Sequence, residues 1–218
     1  MKMISIAIDG PSGAGKSTMA RKVAAELNYL YVDTGAIYRS VSLYAYRAGV
    51  DKTDSEKIVS LLPEIKIDMQ YQHMILNGED VTDAIRQNEV SLYTSAVAAI
   101  PAVRAFLLDL QRNLAATHNV IMDGRDIGTV VLPDATVKIY LTASAEARAQ
   151  RRWLELHEKG DPITLEQVLE DVQQRDYNDT HRDVAPLRQA EDAVLVDTTE
   201  CDLEESYQLL LKTIRERI

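Results

Sequence analysis

From Gly10 to Thr18 the chain reads Gly10-Pro11-Ser12-Gly13-Ala14-Gly15-Lys16-Ser17-Thr18. Glycine, four residues, then Gly-Lys-Ser is the spacing of a phosphate cradle. Glycines at 10, 13 and 15 permit left-handed backbone angles, so successive N–H groups can converge on phosphate oxygens. Lys16 supplies a charge able to bridge β- and γ-phosphates, and the Ser17 hydroxyl is a candidate Mg2+ ligand, partly through water. The loop thus names a nucleoside triphosphate and a magnesium ion but no reaction.

A second concentration of chemistry is Asp123-Gly124-Arg125-Asp126-Ile127-Gly128, which follows the apolar run Asn119-Val120-Ile121-Met122. Two acids and an arginine at the end of a core strand are costly to bury without partners, and open α/β sheets bind ligands at that edge. Arg148, Arg151, Arg152, Arg175, Arg182 and Arg188 form a basic patch in an otherwise acidic chain, suited to a small polyanion. On one helix Arg175, Asp179 and Arg182 would share a face, either as an ion-pair ladder or as a two-pronged clamp on a charged ligand. Arg39, early in a helix that follows a strand end, can reach into the same kind of crevice or face solvent.

These residues need elements to hold them. Ile4 to Asp9 reads as a strand, and Ala20, Val23, Ala24 and Leu27 repeat at helical spacing, so the loop sits between strand and helix. Tyr29 to Asp33 reads as a second strand, with a helix from Ala36 to about Ala48 closed by Gly49. A short helix lies within 51–62, its start marked by Thr53 to Glu56. The rhythm then breaks. Lys66–Met69 and Met74–Leu76, with a type I′ turn signal at Asn77-Gly78, predict a small antiparallel insertion, in which His73 is a solvent-exposed turn residue. Helical spacing resumes from about Asn88 to Ile100 and again after Pro101. Strands at 119–122, 137–141 and 193–197 alternate with helices at 145–158, from Leu165 onward and at 203–214, with Ser144 as an N-cap. Alternation of this kind calls for a parallel sheet with helices on both faces.

Length and composition set outer bounds. A chain of 218 residues, 46% hydrophobic and 27% charged, suffices for one buried α/β core plus an insertion, read as one compact unit. No apolar run approaches the roughly 20 residues of a membrane span, and the start does not read as a signal peptide, so a cytoplasmic protein without membrane contact is expected. A net charge of -10 argues against general nucleic-acid binding. With Cys201 as the single cysteine there is no internal disulfide or thiolate cluster, and His118, His157 and His181 lack metal-ligand spacing.

The phosphate loop, Asp33-Thr34-Gly35-Ala36-Ile37-Tyr38-Arg39, the segment Asp123 to Val131 and Arg182-Asp183-Val184-Ala185-Pro186-Leu187 together resemble the bacterial cytidylate kinases along essentially the whole chain. The resemblance implies transfer of the ATP γ-phosphoryl group to CMP or dCMP with Mg2+. It also implies a P-loop fold, a five-stranded parallel sheet with helices on both faces. A core of 1–62, 96–147 and 166–218 would carry a β-containing monophosphate-binding insertion at about 63–95 and a helical lid at about 148–165, in a monomer. By the same resemblance Arg39, Arg125 and Arg182 approach the monophosphate, and Thr34, Ser95, Arg104 and Asp126 surround the cytosine. Arg175 and Asp179 meet the ribose, and Asp123 belongs to the substrate site. Arg148, Arg151 and Arg152 sit at or near the lid, so that Lys16, Arg125, Arg148 and Arg152 form the catalytic set. The motifs leave two other readings. A kinase of another monophosphate or small anionic acceptor would share the loop and the arginines. A switch GTPase would need an Asn-Lys-x-Asp segment, and no asparagine here precedes a lysine.

Overall fold

Ile6, Ala7 and Ile8 are fully shielded from solvent on β1 (Ser5–Asp9), which explains its near-continuous apolar run: a strand covered on both faces has no solvent side. The computed structural model describes residues 3–70, 73–158 and 160–218. The expected insertion and lid ranges include residues 71, 72 and 159, which lie outside the described ones. The chain divides into two units, residues 1–32 with 118–218, and residues 33–117.

The first unit holds the expected five-stranded parallel sheet. Its order is β2 (Leu30–Asp33), β6 (Val120–Gly124), β1, β7 (Val137–Thr142), β8 (Val194–Asp197). β1 pairs with β6 and β7, and β7 with β8, all in parallel. The register sets Asp9 opposite Gly124 and Ile8 opposite Asp123, so the end of the phosphate-loop strand and the acidic segment share one edge. Met19, Ala20, Val23 and Ala24 of α1 (Lys16–Leu27) and Leu210, Leu211 and Ile214 of α8 (Leu203–Arg215) pack with Ile6, Ile8, Ile121, Ile139 and Leu141 in one core. α6 (Ala145–Glu158) and α7 (Leu165–His181) form a smaller cluster of their own around Ala149, Val168 and Val172, with Trp153 half-buried against it. Ser144 accepts from Ala147 N–H at 3.1 Å, as its N-cap reading requires.

The second unit begins with α2 (Thr34–Arg47) and α3 (Ser55–Leu61), continues through an antiparallel sheet β3 (Ile67–Gln70), β4 (His73–Leu76), β5 (Glu79–Asp80), and ends with α4 (Asn88–Ala99) and α5 (Pro101–Thr117). Asn77 and Gly78 take positive φ angles of 50° and 87°, the pair a type I′ hairpin needs. α2 starts at Thr34, not Ala36, because the Asp33 side chain accepts from Ala36 N–H at 2.8 Å and caps the helix two residues early. His73 is exposed as expected, but on β4 and paired with Asp80, not in a turn. Among the described residues no single helix is long and apolar enough to cross a membrane. α4 and α5 reach that length and composition only as a pair, bent by 95° between them.

Candidate active site

The phosphate loop takes its shape from two constraints. Gly10 has a φ of 152°, and any Cβ there would collide with the Leu141 carbonyl oxygen, so only glycine fits. Gly15 is left-handed at φ 80° and forms the N-cap of α1 with no side-chain cap bond, and the first amides of a helix are donors that suit an anion. Lys16, 5% exposed, folds back to donate to the Pro11 carbonyl at 2.7 Å. Burial above all, and then the charge of Arg125, pull its ammonium down to about 7; Asp123, Asp179 and Asp9 pull the other way.

Asp123, at the end of β6, is 4% exposed and accepts from the Ser17 hydroxyl at 2.8 Å and the Tyr31 hydroxyl at 2.9 Å. Hydroxyl and carboxylate oxygens side by side are donors a hard cation prefers. Among the described residues no three His, Cys, Asp or Glu side chains gather into a metal cluster. This donor pair suits an ion that draws its remaining ligands from phosphate and water.

Asp9 closes the sheet edge. Its carboxylate accepts from Ile127 N–H at 2.8 Å and Gly128 N–H at 2.7 Å, holding residues 127–131 in a wide π-helical turn. Desolvation lifts its pKa to about 6 against the lowering effect of those two amides, and the charge of Asp126 adds to the rise. Sequence reasoning missed Asp9. The available signal was an acidic residue closing an otherwise apolar strand.

The arginines divide by environment. Arg125 donates from Nε to Asp179 at 2.6 Å, and Arg182 lies 3.4 Å from Asp126 while also donating to the Ala185 carbonyl. Both pairs bring residues more than fifty apart in sequence to the end of β6. The shared helical face of Arg175, Asp179 and Arg182 does not form. α7 stops at His181, Arg182 is extended at φ -67°, ψ 144°, and Asp179 turns to Arg125, leaving Arg175 exposed. Arg148 is buried, bidentate on Asp176, whereas Arg152 is exposed beside Glu155 and Arg151 donates to the Thr198 and Cys201 carbonyls.

In the second unit Thr34 is buried at the start of α2. Arg39 pairs with Asp33 at 3.0 Å, and its Nε is buried without a hydrogen-bond partner among the described residues. A buried guanidinium N–H left unmatched costs free energy that an incoming acceptor would recover. Arg104 is 8% exposed, lies over the Tyr38 ring at 5.5 Å and donates to the Ala98 carbonyl at 3.2 Å. Ser95 is exposed on α4.

Residues 6–216 match the family model described as cytidylate kinase. A cytidylate kinase from Caldicellulosiruptor saccharolyticus is 50% identical over 216 residues, covering 97% of this chain and 96% of that protein. One from Geobacter sp. strain M21 is 47% identical, covering 99% and 94%. Among solved structures, an uncharacterized protein from Eubacterium ventriosum superposes with a TM-score of 0.57 at 12% identity, covering 99% and 100%, a likeness of fold alone.

Proposed function

The chain belongs to the cytidylate kinase family, and from that premise we propose how its residues divide the transfer of the ATP γ-phosphoryl group to CMP or dCMP. The observation that carries this reading is geometric: the register sets Asp9 opposite Gly124, so buried Lys16 of the phosphate loop and half-buried Arg125, two cations drawn from distant parts of the chain, meet at one sheet edge, where the charge of Arg125 adds to burial in pulling the Lys16 ammonium down. Like charges held together at a cost are a standing invitation to an anion.

The loop amides of residues 10–18 grip the donor phosphates, and Lys16 leaves the Pro11 carbonyl to bridge the β- and γ-phosphates. When bound with ATP, Mg2+ offsets phosphate charge. Ser17 and Asp123 are the residues that would hold it, directly or through water. Arg39, Arg125 and Arg182 serve the acceptor phosphate, each now paired with a carboxylate it can exchange for phosphate oxygens. Asp126, Arg104, Ser95 and Thr34 read the cytosine. Its amino group needs an acceptor and its N3 a donor, so uracil would leave both protein groups unmatched. Asp179 and Arg175 take the ribose, and exposed Arg152 is the lid arginine free to move onto the transferred group. A phosphate oxygen is already a nucleophile, so catalysis consists of alignment and charge neutralisation, without a general base. The protein acts as a cytoplasmic monomer.

The test is ADP release measured with CMP, dCMP, UMP, AMP and shikimate as acceptors. Cytidine monophosphates should exceed UMP and AMP by at least tenfold in kcat/KM, with no turnover of shikimate. Preference for any other acceptor rejects the assignment.

A further inference from the structure

Arg148 is the least exposed of the clustered arginines, and its guanidinium is almost fully occupied by the protein itself. Nε donates to the Ala143 carbonyl at 2.9 Å, one terminal nitrogen to the Ser12 carbonyl at 2.8 Å and to Asp176 at 3.0 Å, and the other to Asp176 at 2.5 Å. A guanidinium has five N–H donors. Four are therefore spent on the chain, which leaves little for a phosphoryl group. The stem of the side chain runs along the phosphate loop: a Cβ on Gly13 would stand 3.5 Å from the Arg148 Cβ. Neither neighbouring arginine does this, since Arg151 reaches the carbonyls of residues 198 and 201 and the Arg152 side chain is 51% exposed.

Asp176, which fixes this fork, lies on α7 three residues before Asp179, which holds Arg125. A single helix thus fastens the Ser12 carbonyl through Arg148 and the Arg125 guanidinium through Asp179. We propose that Arg148 is a positioning residue for the donor, a buried strap that orients the Ser12 peptide and thereby the loop amides that grip ATP, with Asp176 as its anchor. The strap ties that loop to the helix bearing Asp179. Arg148 acts on catalysis through the loop without touching the transferred group. This rests on the assignment of residues 10–18 to ATP. A planar fork spanning three acceptors has no substitute in lysine, whose single ammonium cannot face all of them at once.

The experiment compares Arg148→Lys and Asp176→Asn with the wild type. Asp176→Asn keeps an oxygen acceptor and the volume of the side chain, so it guards against loss of folding in the lysine variant. ADP affinity is measured by calorimetry on protein whose near-ultraviolet circular dichroism matches wild type, and KM for ATP and for CMP are measured separately. Both variants should weaken ADP binding and raise the ATP KM by about tenfold, with the CMP KM moving less than twofold. A hundredfold loss of kcat at unchanged ADP affinity would mean direct contact with the phosphoryl group and overturn the proposal. So would unchanged ADP affinity with normal kcat, the mark of a purely structural pair. Because ADP binding is read without any acceptor, the strap is tested even if wild type proves not to phosphorylate CMP.

Discussion

The Ser17 hydroxyl donates to an Asp123 carboxylate oxygen at 2.8 Å, joining residues 106 apart in sequence at the mouth of the phosphate loop. The contact makes Asp123 the support that aims Ser17 and, on the proposed division of roles, a residue that would hold magnesium directly or through water. Asp123→Asn keeps the bond to Tyr31 or Ser17 but removes the charge. The Mg2+ concentration for half-maximal rate should rise by about 10- to 100-fold, the range for loss of groups that orient metal ligands. A magnesium titration at saturating ATP and acceptor checks it, and an unmoved midpoint discards the role.

Lys16 is costly to the fold without its ligand. Its folded pKa of about 7 is below the ordinary 10.5, so the folded chain holds this proton less tightly than the unfolded one, and stability from this group rises as pH climbs from 7 toward 10.5. At pH 7 or below, Lys16→Met should therefore raise the ligand-free Tm, at about 2–4 °C per kcal/mol recovered. Turnover should fall on the order of a hundredfold or more as the charge proposed to bridge the β- and γ-phosphates is lost. Thermal melts and single-turnover kinetics on the same preparation check both halves.

Asp9 gives a dependence of opposite sign from the same cause, burial of a charge. Its folded pKa of about 6 stands above the unfolded 3.8, so its stabilising contribution is complete below pH 3.8 and lost as pH rises through 6. Between those values wild type should lose about 3 kcal/mol relative to Asp9→Asn, two pKa units at about 1.4 kcal/mol each. The variant itself carries a constant offset, since an amide cannot accept from both Ile127 and Gly128 with two equivalent oxygens. Urea denaturation of both proteins from pH 4 to 7 isolates the slope.

Asp126 is 4% exposed, and Arg182 holds it at 3.4 Å. In its proposed role as acceptor for the cytosine amino group, it should lose discrimination when it becomes Asn, which can turn a donor toward uracil. The ratio of kcat/KM for CMP over UMP should fall by about tenfold, within the 1–3 kcal/mol that one unmatched polar group costs. Steady-state kinetics with both acceptors decide it; an unchanged ratio transfers base reading to other residues.

Local order was readable in the sequence and long-range pairing was not. Strand, loop and helix around Lys16 follow from glycine spacing and apolar periodicity, and Asn77-Gly78 announced its hairpin because the turn type depends on those two residues alone. Asp9 and Asp176 escaped notice because their partners, the amides of residues 127 and 128 and the fork of Arg148, are set by strand register and helix docking. The same cause undid the helical face of Arg175, Asp179 and Arg182. Spacing along one helix suggested it, but the helix ended a residue too soon and Asp179 found a partner 54 residues away.

The sheet order carries a consequence for how the polypeptide emerges from the ribosome. β1 is the central strand, yet its two neighbours β6 and β7 begin at residues 120 and 137. At about 5–20 residues per second, the earliest strand waits some 5–20 s with both edges bare. Residues 33–117, which form one uninterrupted unit of the fold, are made during that delay. A codon-level slowdown between residues 33 and 117 would thus lengthen the exposure of Ile6, Ala7 and Ile8 to aggregation and chaperone capture, whereas one beyond the last strand would not.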